Sequence, residues 1–222
     1  RCGRKNTQIG AFMKTCSIIS FIEKDADKLL NRLDKNSYII CADSGYGYAR
    51  EYGITPGLII GDFDSYRGNL PDDIPVVTMP SEKDDTDTGL CISYAIEHGF
   101  DDITIYGGLG GRLDHTVANL QLIAAAAEKG VSIRLLDEAN EVYAVCCDSM
   151  EISRKESCYL SVFSASDISE GVSESGVKYL LDNVTLSRSF PLGVSNEFAA
   201  DKAVISVKKG TLIIIVSYEK SA

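Results

Sequence analysis

Apolar runs and helical segments alternate along the first 136 residues of the chain. Apolar runs of strand length predict strands at residues 16–22, 38–42, 58–60, 76–79, 103–106 and 132–136. Helical spacing of apolar residues predicts helices between them, at residues 25–33, 45–52, 86–98 and 115–129. Short apolar strands separated by helices are typical of a parallel sheet covered by helices on both faces.

The pattern changes near residue 138. Strands are predicted at residues 141–146, 150–153, 159–163, 177–186, 203–207 and 211–218, and no long helix separates them. This pattern is typical of an antiparallel sandwich or barrel. We therefore expect an α/β domain over residues 13–137 and a β-sandwich domain over residues 138–222. The polar connection at 187–202 is long for a compact domain, and such loops are often functional.

Charge and composition exclude some classes of partner. The 222 residues are 45% apolar and 24% charged, and the net charge is -10. An acidic chain is a poor partner for nucleic acid or an anionic membrane, although a metal ion can still bring a nucleotide to an acidic pocket. No apolar stretch approaches the ~20 residues of a membrane-spanning helix. We therefore expect no nucleic-acid and no membrane partner.

The seven cysteines are irregularly spaced and form no C-x-x-C pair. We interpret them as free thiols in a reducing compartment, and we expect a cytoplasmic protein. With only two histidines, a zinc site is not expected. Residues 1–12 are basic and polar and do not form a secretory signal, and Met13 is a possible native start.

The residues after the second predicted strand are polar and begin a helix. Asp43-Ser44-Gly45 combines a carboxylate, a hydroxyl and a glycine at a strand end, where ligands bind in open parallel sheets. Glycine lets backbone N–H groups approach an anion, and a helix N-terminus also favours one. Capping of the helix by Asp43 or Ser44 explains the same residues without a ligand.

The third predicted strand ends in two aspartates one residue apart, within Gly61-Asp62-Phe63-Asp64-Ser65. In an extended chain the side chains of Asp62 and Asp64 point to one side, and Phe63 points to the other. Two convergent carboxylates with room for water and phosphate oxygens describe a Mg2+ site. A turn with two solvated aspartates is the alternative.

An acidic segment follows the fourth predicted strand and leads into a helix. Residues 80–88, PSEKDDTDT, contain four acidic side chains and one lysine. One aspartate is enough to cap a helix and to interact with its dipole, so the others require a further reason. A third metal-binding carboxylate from this segment would complete a site with Asp62 and Asp64.

A glycine-rich segment follows the fifth predicted strand. Residues 107–115, GGLGGRLDH, contain four glycines in five positions and then an arginine. Such a turn lets the backbone approach phosphates, and an arginine can bind phosphate oxygens through two hydrogen bonds. The segment differs from the G-x-G-x-x-G fingerprint of dinucleotide-binding proteins. We interpret His115 as part of the helix start beside its cap, Asp114, rather than as a base.

Four neighbouring strand ends thus offer metal ligands or phosphate-binding groups. Each segment alone fits an ordinary cap or turn, but the combination indicates magnesium-dependent phosphoryl or pyrophosphoryl transfer. The sequence contains no GxxxxGK[ST] loop, which excludes a Walker-type nucleotidase.

These motifs resemble those of thiamin pyrophosphokinases, also called thiamine diphosphokinases. The resemblance rests on ADSG (42–45), GDFDS (61–65), DDTD (84–87), GGLGGRLDH (107–115) and VSNE (194–197), and it extends over about residues 16–218. It implies transfer of the β,γ-diphosphoryl group of ATP to the hydroxyl of thiamin, which yields thiamin diphosphate and AMP. It also implies a homodimer whose active sites are shared between subunits.

The resemblance and the strand-end positions together predict the site residues. The predicted ligands of Mg2+ are Asp62, Asp64 and Asp84, which with Asp87 form the predicted catalytic set. The predicted ATP-binding residues are Asp43, Ser44, Gly45, Ser65, Thr86, Gly108, Gly111, Arg112 and Asp114. The predicted thiamin-binding residues are Glu82, Ser195 and Asn196. Some family members have a tryptophan near thiamin, whereas this chain has none, so Phe198 or a tyrosine is expected in its place.

Two other functions fit the same motifs. One is a magnesium-dependent diphosphokinase or nucleotidyl transferase that acts on a different alcohol, and the other is a non-catalytic sensor of a nucleotide or of thiamin diphosphate. AMP formation that requires thiamin would exclude both. The base that accepts the alcohol proton is left open between Asp84 and Asp87.

Overall fold

The computed structural model describes residues 13–63, 66, 68–79 and 85–219. These residues form two compact units. The α/β unit comprises residues 13–122 and 133–138, and the β unit comprises residues 123–132 and 139–219.

The α/β unit contains a parallel sheet and helices, as predicted. Its strands are β1 (Thr15–Ile19), β2 (Tyr38–Ala42), β3 (Leu58–Gly61), β4 (Val76–Thr78), β5 (Asp102–Tyr106) and β6 (Ser132–Leu136). The helices are α1 (Ala26–Leu30), α2 (Gly45–Glu51), α3 (Asp87–Glu97) and α4 (Leu113–Glu128), and residues 123–128 of α4 are assigned to the β unit. The strand order is β6-β5-β1-β2-β3-β4, and the pairs from β5 to β4 are parallel.

Branched apolar residues make the central strands of this sheet. Ile18, Ile40, Ile59 and Ile103 are fully buried. Branched side chains fit the pleated surface of a strand, and a strand with both faces covered needs apolar residues on each. The polar residues of this unit are therefore concentrated where the strands end.

The β unit consists of two antiparallel sheets. Its strands are β7 (Asn140–Cys146), β8 (Ser149–Ser153), β9 (Cys158–Ser164), β10 (Ile168–Ser175), β11 (Leu181–Ser187), β12 (Gly193–Asn196), β13 (Lys202–Ser206) and β14 (Thr211–Tyr218). One sheet has the order β12-β9-β14-β7 and the other β11-β10-β13-β8. Leu160 and Ile214 of the first sheet share one apolar core with Val172 and Ile205 of the second. The predicted β-sandwich is confirmed.

The structure corrects several predicted bounds. β1 ends at Ile19, so the predicted strand at 16–22 is three residues too long. The strand predicted at 177–186 is wrong in its first part, because a turn with Gly176 at φ 72° separates β10 from β11. β10 was not predicted, since its sequence ISEGVSES is mostly polar although Ser169 and Glu174 are buried. β12 lies inside the segment that was predicted to be a connection.

The six cysteines of the described residues are all free thiols, and Cys16, Cys41 and Cys91 are buried. Burial raises the pKa of Cys16 and of Cys41 to about 12, so these thiols are unreactive at neutral pH. Among the described residues, no helix has the length and apolar character that crossing a membrane requires.

Candidate active site

The strand-end pocket is a cavity of about 850 Å³ in the α/β unit, at the carboxyl ends of β1, β2 and β5. These three strands are neighbours in the sheet, in the order β5-β1-β2. Its lining residues are Ser20, Phe21, Ala42, Asp43, Ser44, Gly47, Tyr48, Glu51, Thr86, Asp87, Thr88, Gly108, Gly110, Gly111, Arg112, His115 and Asn119. Ligands bind in this position in open parallel sheets.

Seven of the predicted site residues line the strand-end pocket: Asp43, Ser44, Thr86, Asp87, Gly108, Gly111 and Arg112. Three other described residues that were predicted in the α/β unit, Gly45, Asp62 and Asp114, do not line it. Four further predicted residues, Asp64, Ser65, Glu82 and Asp84, lie outside the described residues.

The ends of β2 and β3 approach each other closely at Asp43. The residue adopts a left-handed conformation, with φ 44°, and its N–H donates to the Ile60 carbonyl at 2.8 Å. A Cβ added to Gly61 would lie 2.9 Å from the Asp43 Cα, so only glycine fits there. A Cβ on Gly45 would likewise collide with the Ile19 carbonyl oxygen. The structure therefore accounts for Gly45 and Gly61 through backbone packing.

The backbone after Asp62 is not extended. Phe63 has φ 59°, in the left-handed region, and its half-buried side chain packs against the core of the α/β unit. The prediction that the aspartates converge because the chain is extended is therefore wrong at Phe63. Asp62 itself is half-buried at the end of β3. Its role as a metal ligand stays a prediction that depends on the family resemblance.

Thr86 caps helix α3. Its Oγ1 accepts a hydrogen bond from the Gly89 N–H at 3.1 Å, and its own N–H donates to Asp85 Oδ1 at 2.8 Å. Within the first turn of the helix, the Thr88 hydroxyl is 2.8 Å from the Ser20 hydroxyl in a buried contact that connects α3 to the end of β1. The helix start is therefore a capped and anchored element, with Asp87 in its first turn facing the pocket.

The glycine-rich segment takes its shape from protein contacts. Gly107, Gly108, Gly110 and Gly111 all have positive φ values, between 58° and 89°, which side chains other than glycine rarely adopt. The N–H groups of Gly107 and Gly108 donate to the carbonyls of Leu136 and Phe21, at 2.8 and 2.7 Å. The Asn119 side chain donates to the Gly108 carbonyl at 2.7 Å. Two of the N–H groups that were expected to face phosphates are therefore already bonded.

Arg112 and Asp114 form a two-point ion pair. The guanidinium donates through Nε at 3.2 Å and through Nη2 at 2.5 Å, and both side chains are largely exposed. The Arg112 hydrogen bonds lower the pKa of Asp114. Asp114 Oδ1 also accepts from the His115 N–H at 3.0 Å. Because α4 begins at Leu113, Asp114 lies in its first turn, and the prediction that it caps the helix is wrong. The pair holds the guanidinium at the rim of the strand-end pocket.

The predicted thiamin-binding residues belong to the β unit and differ in exposure. Ser195 is exposed and left-handed, with φ 59°, and its N–H donates to Ser161 Oγ at 3.0 Å. Asn196 is buried, and its Oδ1 accepts from the N–H groups of Tyr179 and Glu197 at 2.9 and 3.0 Å. Its Nδ2 donates to the Tyr179 carbonyl at 2.8 Å and to Glu174 Oε2 at 3.2 Å. The Asn196 amide is thus fully engaged within the protein.

Two family models match the chain. The thiamin pyrophosphokinase catalytic domain matches residues 29–135, and the thiamin pyrophosphokinase vitamin B1 binding domain matches residues 149–212. A thiamine pyrophosphokinase from Bacillus subtilis is 31% identical over 212 residues, which are 92% of this chain and 99% of the relative. The chain belongs to the thiamin pyrophosphokinase family.

Solved structures agree with this assignment. The crystal structure of the Bacillus subtilis thiamine pyrophosphokinase has a TM-score of 0.83 at 28% identity and covers 93% of this chain and 100% of its own. That of the Geobacillus thermodenitrificans thiamin pyrophosphokinase has a TM-score of 0.79 at 26% identity, with coverage of 93% and 99%. The predicted family, the fold class and the enzyme activity, which is ATP-dependent diphosphoryl transfer to thiamin, are confirmed.

Sequence reasoning missed several residues of the strand-end pocket. Ser20 and Phe21 were hidden because the first strand was predicted to run to residue 22, which placed them inside it. Tyr48 lies one helical turn beyond the predicted Ser44, and Asn119 one turn beyond His115, so helical spacing could have indicated both. His115 does line the pocket, although it was interpreted only as a helix-start residue.

Proposed function

We propose that this thiamin pyrophosphokinase binds ATP in the strand-end pocket and presents its β-phosphorus to the hydroxyl of thiamin. The single observation that supports this placement best is the position of the pocket, where the carboxyl ends of β5, β1 and β2 meet beside the start of α3. Its volume of about 850 Å³ suits a nucleotide. Arg112 at its rim would bind phosphate oxygens and share its guanidinium with Asp114.

We infer that Asp62, Asp64 and Asp84 hold Mg2+. Among the described residues no group of three or more potential ligands occurs, so the inference depends on Asp62 together with the family resemblance. A half-buried carboxylate at a strand end is the hard oxygen donor that Mg2+ prefers. When bound, the ion would offset the charge that develops between the diphosphate and AMP.

The acidic start of α3 suits the acceptor. Thiamin is a cation, so carboxylates near the pocket would attract it as well as bind a metal. Asp87 lines the pocket in the first turn of α3, and it stays a candidate for the base with Asp84. Glu82 is proposed as a thiamin-binding residue on the family resemblance alone.

The structure supports a specific aromatic residue for the thiamin site of the β unit. Phe198 is half-buried against the core, whereas Tyr179 is 61% exposed and is bonded through its backbone to Asn196. The ammonium of Lys178 already lies 5.4 Å from the centre of the Tyr179 ring. We propose that Tyr179 and Ser195 contact thiamin, and that Asn196 holds the two segments together. A face of Tyr179 would suit a cationic ring.

We also propose a homodimer formed through the β unit. Three large apolar side chains of this unit are more than half exposed and could be covered by a second copy: Leu180 67%, Phe190 66% and Leu192 52%. Light scattering should report a dimer for the parent and a monomer for the double variant Phe190→Glu, Leu192→Glu. A parent that is monomeric would contradict this.

A cytoplasmic location is proposed as well, on the ground of the six free thiols of the described residues.

The test of the function is an assay of ATP, thiamin and Mg2+ in which AMP and thiamin diphosphate are both measured. The two products should form in equal amounts, and both should disappear when thiamin or Mg2+ is left out. Formation of ADP, or AMP release that does not depend on thiamin, would contradict the proposal.

A further inference from the structure

Phe21 is an aromatic side chain that the fold holds in place without burying it. It follows β1 by two residues, lines the strand-end pocket and is 44% exposed. Its carbonyl oxygen accepts the Gly108 N–H at 2.7 Å, which fixes the backbone. The ring therefore offers a positioned apolar surface to the pocket.

The glycine-rich segment leaves space for this residue. A Cβ added to Gly111 would lie 3.0 Å from Cε1 of the Phe21 ring, and one added to Gly107 would collide with the Phe21 carbonyl oxygen. Both glycines also have positive φ, 58° and 89°. Gly107 and Gly111 are thus explained by their close approach to Phe21. The sequence alone had suggested that the glycines make room for phosphates.

The position of Phe21 in the sheet indicates which part of a nucleotide it meets. β1 and β3 are separated by one strand, β2, so their ends lie about 10 Å apart at the usual spacing of about 4.8 Å. Asp62, the described candidate for the metal and therefore for the phosphates, follows β3. The end of β1 carries an aromatic ring and a hydroxyl, Ser20, that is already bonded to Thr88. Ser20 and Phe21 themselves offer no charge to an anion, whereas the Phe21 ring offers a flat apolar face to a base. Arg112, which is proposed to bind phosphates, follows the neighbouring strand β5.

We propose that Phe21 is the stacking platform for the nucleobase of ATP, an inference that rests on the proposed location of ATP in this pocket. Aromatic side chains stack on bases through their π faces, and such stacking tolerates different bases. Phe21 then contributes affinity for the nucleoside part and little discrimination among purines. The aromatic Tyr48 is a weaker candidate, because its hydroxyl is bonded to the Ile22 carbonyl at 2.7 Å.

The chain offers a direct optical test because it contains no tryptophan. Phe21→Trp creates a single tryptophan, which can be excited selectively at wavelengths where the eleven tyrosines do not absorb. Its emission should be quenched on titration with ATP or AMP but not with inorganic tripolyphosphate, which has no base. Tyr52→Trp is the matched control, since Tyr52 is 41% exposed in the same unit and does not line the pocket. Emission of Phe21→Trp that ATP leaves unchanged, or that ATP and tripolyphosphate change equally, would overturn the proposal.

Kinetics provide a second readout. Phe21→Ala should raise the KM for ATP about 5- to 150-fold, the range expected for the loss of one base–aromatic stack. The kcat and the KM for thiamin should stay within about twofold, and Phe21→Tyr should restore the KM for ATP. A rise in the KM for thiamin instead would assign the ring to the acceptor and overturn the proposal. A parent that makes no AMP would refute the proposed function, whereas the fluorescence titration would still test Phe21.

Discussion

The two units hold their polar residues in opposite ways. At the strand ends of the α/β unit, Asp43, Asp87 and Arg112 line an open pocket, and the segments that carry them are shaped by backbone hydrogen bonds. In the β unit, Glu174 and Asn196 are 1% and 5% exposed, and the Asn196 amide is fully bonded within the protein. It follows that the side chains of Asp43, Asp87 and Arg112 can bind a ligand or be substituted with little change in the free energy of unfolding. Glu174 and Asn196 instead stabilise the local structure that positions Ser195 and Tyr179.

The largest effect that this comparison predicts is on turnover. Asp62→Asn should lower kcat about 10²- to 10³-fold, since an amide is a poor ligand for Mg2+ and charge in the transition state loses its partner. The urea midpoint should stay close to that of the parent. Asp72→Asn, which changes an exposed aspartate between β3 and β4, is the matched control and should keep full activity. Near-normal activity of Asp62→Asn at saturating Mg2+ would show that Asp62 is not a metal ligand.

In the β unit we expect the opposite result, namely that a substitution at Asn196 changes the free energy of unfolding more than it changes turnover. Asn196→Ala removes the bonds to Tyr179, Glu197 and Glu174, and it leaves partly buried backbone groups without their side-chain partner. We expect a loss of about 2–4 kcal/mol in the free energy of unfolding, measured by urea denaturation. Arg188→Ala, which breaks an exposed ion pair with Asp167, should cost less than about 1 kcal/mol. A stable Asn196→Ala protein with a raised KM for thiamin would instead indicate direct contact with the substrate.

Glu174 makes the stability of the β unit depend on pH. Burial raises its pKa from 4.5 to about 7, and the hydrogen bond from Asn196 opposes this rise. Its Oε1 has no hydrogen-bond partner among the described residues, so the buried side chain is better suited to the protonated form. The folded state then binds the proton more tightly than the unfolded state does. The resulting stabilisation is complete below about pH 4.5 and is lost as the pH rises to about 7.

Glu174→Gln should remove this dependence, because glutamine stays neutral at every pH. The variant should match the parent near pH 4.5 and exceed its free energy of unfolding by about 1–3 kcal/mol at pH 8. Urea denaturation of both proteins at three pH values measures the difference. Glu170→Gln, on the same strand but exposed and paired with Lys209, is the control and should show no such trend. A difference that does not vary with pH would show that Glu174 does not titrate in this range.

The sequence was informative where one physical demand dominated. Buried parallel strands need apolar residues on both faces, so β2, β3 and β5 could be recognised, and with them the strand ends that carry Asp43, Asp62 and Arg112. The fold class followed from the change of pattern near residue 138.

It was misleading where tertiary contacts decided the local structure. β10 buries Ser169 and Glu174, which no hydrophobic pattern can indicate. The left-handed backbone of Asp43 and Phe63 depends on how neighbouring strands end. Phe21 resembled a strand residue, and its exposure is visible only once the Gly107–Gly111 backbone is placed beside it.

Thr86 lies between the two groups, because it faces the strand-end pocket but its Oγ1 accepts a hydrogen bond from Gly89. Thr86→Ala should lower the free energy of unfolding by about 1 kcal/mol through loss of the cap, while Thr86→Ser should keep it. The predicted contact with ATP requires more, namely that the KM for ATP rises in Thr86→Ala and not in Thr86→Ser. If the free energy of unfolding falls and the KM for ATP does not change, Thr86 only caps helix α3. Its role would then be structural, like that of Asn196 in the β unit. In that case the side chains that bind ATP come from the other strand ends.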